Sequence, residues 1–73
     1  MPMKPISYRE ARRRLLKAGF LEIGQRGSHV KFGKRTVDGF LTATVPHHRD
    51  VAPGTLRSIL RQAGLTWEQF HEL

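Results

Sequence analysis

Four histidines stand among thirteen Lys and Arg in this 73-residue chain, and one of them carries the first chemical expectation. In Gly27-Ser28-His29-Val30-Lys31-Phe32, Val30 and Phe32 are the inward residues of a strand. Alternation therefore sends His29 and Lys31 to its open face. An exposed imidazole can take or give a proton near neutral pH, which is what cleavage of RNA by its own 2′-hydroxyl requires. Arg26 and Lys31 supply positive charge for a phosphate, and the Ser28 hydroxyl can bond a phosphate oxygen or a neighbouring amide. The residues alone leave two readings open, a general base or a surface histidine without a role. Gly-Ser-His is by itself ordinary loop composition.

The other histidines say less. His47 and His48 are adjacent and point to opposite faces of an extended chain, with no carboxylate or third histidine at ligand spacing, so no metal site is expected. His71 falls in the C-terminal segment and reads as a surface or capping residue. The chain contains no cysteine, which excludes thiol catalysis, disulfides and Cys-based zinc sites and fits a reducing compartment. No cofactor is expected.

Thirteen basic against six acidic residues give a formal charge of +7, which favours polyanions through counterion release and steering. Nucleic acid leads the expected partners, and an acidic protein follows. Arg9, Arg12, Arg13, Arg14 and Lys17 form a helical basic stripe, and Lys34 and Arg35 add a second basic spot near a hairpin tip. Such contacts position an RNA backbone without reading its sequence, although a solvated helix face explains any single arginine equally well.

These residues must be positioned by a small set of elements. Tyr8, Ala11, Leu15 and Ala18 recur at helical spacing, Ser7 and Glu10 form a capping-box pattern, and Gly19-Phe20 supplies the stop. Short alternating runs follow at Leu21/Ile23, Val30/Phe32 and Leu41/Ala43/Val45, which predict three antiparallel strands. Asp38-Gly39 is a two-residue hairpin signal. Centred there, the turn sets 37 opposite 40, 35 opposite 42 and 32 opposite 45. The same register brings His29 opposite His48 if the ladder survives Pro46, which cannot donate a ladder hydrogen bond. His48 is therefore a candidate neighbour that assists His29.

Pro53 opens a second helix with Leu56, Ile59, Leu60 and Ala63 on one face, and Gly64 stops it. Thr66 and Gln69 repeat the capping-box pattern for a last short helix carrying Trp67 and Phe70. Ala18-Gly19-Phe20 and Ala63-Gly64-Leu65 look alike through shared helix-stop chemistry, without an internal repeat. The expected architecture is a two-layer α+β domain over residues 1–73, an antiparallel sheet with helices on one face and the other face free. Met1–Pro5 is too short and polar for a signal peptide, and no run approaches the length of a membrane span. A cytoplasmic protein with no membrane partner is the expectation.

Taken together, Leu16-Lys17-Ala18-Gly19-Phe20, then Gly27-Ser28-His29-Val30-Lys31-Phe32, then Val45-Pro46-His47-His48, then Gly54 to Leu65 (Gly-Thr-Leu-Arg-Ser-Ile-Leu-Arg-Gln-Ala-Gly-Leu) resemble the HicA toxin family over nearly the whole chain. The resemblance implies an αβββα fold like a double-stranded-RNA-binding domain. It also implies a ribosome-independent endoribonuclease (an mRNA interferase) that cuts messenger RNA, its catalytic histidine mapping onto His29. The implied protein partner is a HicB antitoxin that covers the active site. Arg49 departs from the glycine of many relatives, which puts any detailed role of His48 in doubt. The competing readings are a non-catalytic RNA-binding module and an interaction protein whose basic face docks an acidic partner.

Overall fold

The computed structural model describes residues 4–73, so the signal-peptide reading of Met1–Pro5 falls partly outside the described residues. The elements run β1 (Ile6–Ser7), α1 (Tyr8–Lys17), β2 (Leu21–Arg26), β3 (His29–Thr36), β4 (Gly39–Pro46), β5 (Asp50–Val51), α2 (Pro53–Ala63) and α3 (Trp67–His71). Strands β2-β3-β4 form one antiparallel sheet. The expected α+β architecture holds, with one addition: β1 and β5 pair as a separate two-residue ribbon, Ile6 opposite Val51 and Ser7 opposite Asp50. Two-residue strands carry no periodicity, so the sequence pattern does not announce them. Among the described residues no helix is long and apolar enough to cross a membrane.

Ser7 caps α1 by accepting a hydrogen bond from the Glu10 N–H at 3.1 Å. Only that half of the expected capping box forms, because the Glu10 carboxylate turns forward to Arg13 and Arg14. Thr66 and Gln69 make both halves of theirs. The two helix stops are built alike. Phe20 N–H donates to the Leu15 carbonyl and Gly19 N–H to that of Leu16, while Leu65 N–H donates to Leu60 and Gly64 N–H to Arg61. This is the 6→1 and 5→2 pattern of a left-handed glycine stop, and Gly19 (φ 100°) and Gly64 (φ 69°) sit at its pivot.

The core lies between the sheet and the helices. Phe20, Phe32, Phe70, Leu15, Leu56 and Ile59 are its largest fully buried members, joined by Val30, Ala43 and Val45 from the sheet. Phe70 places the expected last short helix, α3, against it. Arg14 secures the same contact, its guanidinium 5.2 Å from the Phe70 ring centroid and donating to the Phe70 carbonyl. Arg13 donates to the Leu73 carbonyl.

The β3–β4 hairpin corrects the expected register. Val37 and Asp38, not Asp38 and Gly39, occupy the turn, so Thr36 faces Gly39, Phe32 faces Ala43, Val30 faces Val45 and His29 faces Pro46. A turn centred on Asp38-Gly39 needs positive φ at both residues, which costs a non-glycine residue about 1 kcal/mol. In the observed hairpin neither Val37 nor Asp38 has positive φ, and the positive φ (145°) falls on Gly39, the first residue of β4. The displacement is by two positions, so every side chain keeps its expected face while its partner changes. Phe32, Ala43 and Val45 remain buried, and Leu41 remains packed against the core.

Candidate functional site on the free sheet face

His29 opens β3 at the last rung of the sheet, between Arg26 of β2 and Pro46 of β4. Its neighbours on the open side of the strand follow from alternation: Val30 and Phe32 are buried, His29 and Lys31 exposed. The preceding turn is Gly27-Ser28. Gly27 has φ 60° with open space where a Cβ would stand, so backbone conformation accounts for this glycine. Pro46 has no N–H with which to continue the ladder. The next amide, His47 N–H, donates instead to the Ser28 carbonyl, and His48 N–H donates to the Pro46 carbonyl at 2.9 Å. The turn before His29 is thereby tied to the chain that follows β4.

That bend separates the adjacent histidines. His47 stacks on Tyr8, the ring centroids 3.9 Å apart and 23° from parallel. Burial pushes the Tyr8 phenol up, the charge of Glu22 adds to the rise, and Arg12 opposes it. His48 lines a groove with His29. The direct cross-strand pairing expected for His29 and His48 is replaced by His29–Pro46, and the loop brings His48 to the same groove by a different route. Among the described residues no three of His, Cys, Asp and Glu stand where they could share a metal ion.

Two grooves meet at His29. One, on the free face, is lined by Gly24, Gln25, Arg26, Lys31 and Thr44 together with His29. The other, of about 430 Å3, runs around the β4 edge toward α2 and is lined by His29, Thr44, Pro46, His48, Thr55, Ser58, Ile59 and Gln62. A third depression holds Arg9 and Arg49 beside Tyr8, His47 and His48. The α2 residues were not singled out in the sequence. Their signal is a stripe Thr55, Ser58, Gln62 at i, i+3 and i+7, bordering the apolar stripe of the same helix.

The remaining cations are dispersed. Arg13 is engaged by the Glu10 carboxylate, with Nε donating to Oε1 at 3.0 Å, and Arg14 Nε donates to Glu10 Oε2 at 2.7 Å. Hydrogen bonds from Arg13 and then Arg14 lower the Glu10 carboxyl to about 2, and the same contact raises Arg13. Arg12 stands 3.5 Å from Glu22. Lys34 and Arg35 point to opposite faces. Lys34 lies on the helix side, its ammonium 5.7 Å from the Phe20 ring centroid, and Arg35 lies opposite Phe40. Arg9 and Lys17 are exposed on α1.

The far half of the free face is apolar. Phe40, Ile23 and Leu21 are exposed there, and a Cβ on Gly33 would come within 2.6 Å of Phe40 Cζ and 2.9 Å of Ile23 Cδ1. Gly33 is buried because those side chains lie directly on the strand. The apolar alternation of Leu21 and Ile23 marked a strand, but its apolar side is the open one.

Residues 8–65, from the first residue of α1 to just past the α2 stop, match the family described as HicA toxin of bacterial toxin-antitoxin systems. This chain belongs to the HicA toxin family. Membership makes it the toxin of a toxin–antitoxin pair and implies an antitoxin as its partner. The matched span includes both grooves and the whole β2-β3-β4 sheet, and it leaves α3 outside. No curated relative matches the chain.

Proposed function

We propose that this HicA-family chain is a metal-independent endoribonuclease that cleaves messenger RNA in the cytoplasm, with His29 as general base. The observation that carries the reading is the position of His29, an exposed imidazole where a cationic groove and a neutral polar groove meet on the free face of a sheet. His29 removes the proton of a ribose 2′-hydroxyl. The 2′-oxygen attacks the adjacent phosphorus, an O2′–P bond forms, the P–O5′ bond breaks, and the 5′-oxygen leaves with a proton returned by the imidazolium or water. The 5′ fragment then ends in a 2′,3′-cyclic phosphate. Ser28 and His48 support this step as phosphate ligands or proton donor.

The RNA backbone is held by Arg26 and Lys31 in the cationic groove, with Arg9 and Lys17 on α1 and Arg35 at the hairpin extending the track. Arg12, Arg13 and Lys34 belong to the same basic set, but each already has a partner within the fold. They contribute to the overall field more than to direct contact. A HicB-type antitoxin is the protein partner, and covering His29 is its means of inhibition.

The test is cleavage of a defined RNA by purified protein in excess chelator. The proposal expects undiminished scission and cyclic phosphate ends. Loss of scission under chelation contradicts it, as does RNA retention without any scission, which is the behaviour of a binding module.

A further inference from the structure

We infer that the groove between β4 and α2 is a nucleoside subsite, holding the unpaired base and ribose next to the scissile phosphate and reading that base through Gln62. The inference rests on the endoribonuclease reading and gives its substrate contact a place.

The two grooves that share His29 differ in chemistry. The free-face groove carries Arg26 and Lys31, which suits a phosphate. Apart from its histidines, the β4–α2 groove has no ionisable side chain. It offers the hydroxyls of Thr44, Thr55 and Ser58, the amide of Gln62 and an apolar floor from Pro46 and Ile59. Phosphate has little to gain there. A nucleoside does, since its base needs an apolar surface for its face and neutral donors and acceptors for its edge. At about 430 Å3 the groove falls within the roughly 300–1,000 Å3 typical of small-molecule sites.

Gln62 is held in advance of any ligand. Its Oε1 accepts the Thr44 backbone N–H at 2.9 Å, and Nε2 donates to Ser58 Oγ at 3.4 Å. A backbone N–H can only donate, so the atom facing it must be the carbonyl oxygen, which fixes the amide's orientation. Of the two N–H groups on Nε2, one is used by Ser58 and the other is left for a carbonyl or ring-nitrogen acceptor on a base edge. A fixed donor in a partly enclosed groove discriminates more strongly than a mobile one, because nothing must be reordered on binding. Laying a base face on Pro46 and Ile59 also demands an unpaired, unstacked base, since a base within a duplex keeps its faces against its neighbours.

The experiment uses the full-length His29→Ala chain, so that binding is read apart from cleavage. Nucleoside 3′-monophosphates of all four bases are titrated while backbone amide resonances are followed by NMR. Saturable shifts at Thr44, Thr55, Ser58 and Gln62, with affinities differing at least about 5-fold between bases (about 1 kcal/mol), are expected. Gln62→Glu keeps the acceptor for Thr44 while removing the donor, and should erase the preference between bases. Thr55→Val, which removes the hydroxyl at nearly constant side-chain volume, should weaken all four ligands. Shifts confined to Arg26 and Lys31, or reproduced by inorganic phosphate alone, overturn the inference. If the wild-type chain fails to cut RNA while these shifts are present, the endoribonuclease reading falls, and the groove stands as a nucleoside-binding site with no scissile phosphate beside it.

Discussion

His29 faces Pro46 across the β3–β4 ladder, and the first amide beyond that proline, His47 N–H, reaches back to the carbonyl of Ser28. The sheet therefore ends at His29. The imidazole is backed by a rigid strand on one side and by a tied turn on the other, while its open face stays clear. The backbone at His29 is thus fixed from both sides, and among the described residues no side chain hydrogen-bonds to the ring, which suits the proton transfer proposed for it.

His48 reaches the groove from a loop and not from the rung opposite. His48→Ala is therefore expected to lower the single-turnover rate of RNA cleavage about 10-fold, below the roughly 10²–10⁴-fold of a principal acid–base group. A loss as large as that of a His29 variant would make the two histidines an obligate pair.

The basic residues divide by engagement. Lys31→Gln and Arg26→Gln should each weaken RNA binding and reduce the slope of log K against log salt by about 0.7–0.9, as expected for one lost phosphate contact. Arg13→Gln should change that slope little and instead lower thermal stability, because its guanidinium already serves Glu10 and the Leu73 carbonyl. Equal effects on the salt slope would show that all three contact RNA.

Glu10 gives the fold an acid-sensitive contact. Its folded-state value of about 2 lies below the ordinary 4.5, so its contribution is fully present above pH 4.5 and is lost as the pH falls toward 2. Glu10→Gln should lower the melting temperature at pH 7 and bring the variant and wild type together near pH 2. Because the pair is substantially exposed, the difference at pH 7 should be modest. A constant difference across that window would mean the carboxylate's charge is not what stabilises α1.

Phe32 and Gly64 test the scaffold that holds the site. Phe32 is fully buried between His29's strand and the helices, and Phe32→Ala should cost about 3–5 kcal/mol, most of the stability available to a chain this short. Gly64→Ala forces a Cβ into φ 69° and should cost about 1 kcal/mol, with RNA affinity unchanged. Chemical denaturation measures both, and a Gly64 variant as stable as wild type would contradict the left-handed stop.

Much of this fold was legible because it rests on local rules. The α1 and α2 limits follow from Ser7, Pro53 and the two glycine stops, and the facing of Val30 and Phe32 follows from alternation. The hairpin register was not, because Asp-Gly signals a turn without saying which residue of the pair enters it. The two-position shift moved His48 off the rung opposite His29 while preserving every face. Of the candidate site, the exposure of His29 on the open face was legible through alternation. Gln62, Ser58 and Thr55 were not, since a polar stripe beside an apolar one describes any surface helix until the sheet edge opposite it is known. Exposed Phe40 and Ile23 were hidden for a related reason, as apolar alternation does not say which face of a sheet is covered.

The central claim is that His29 performs the chemistry. The most direct measurement compares wild type and His29→Ala on one RNA, following scission and binding together with the circular dichroism of each protein. The account predicts an unchanged spectrum, RNA affinity within about 3-fold (about 0.65 kcal/mol) and a cleavage rate reduced roughly 10²–10⁴-fold. Cleavage retained by a folded His29→Ala protein would contradict it.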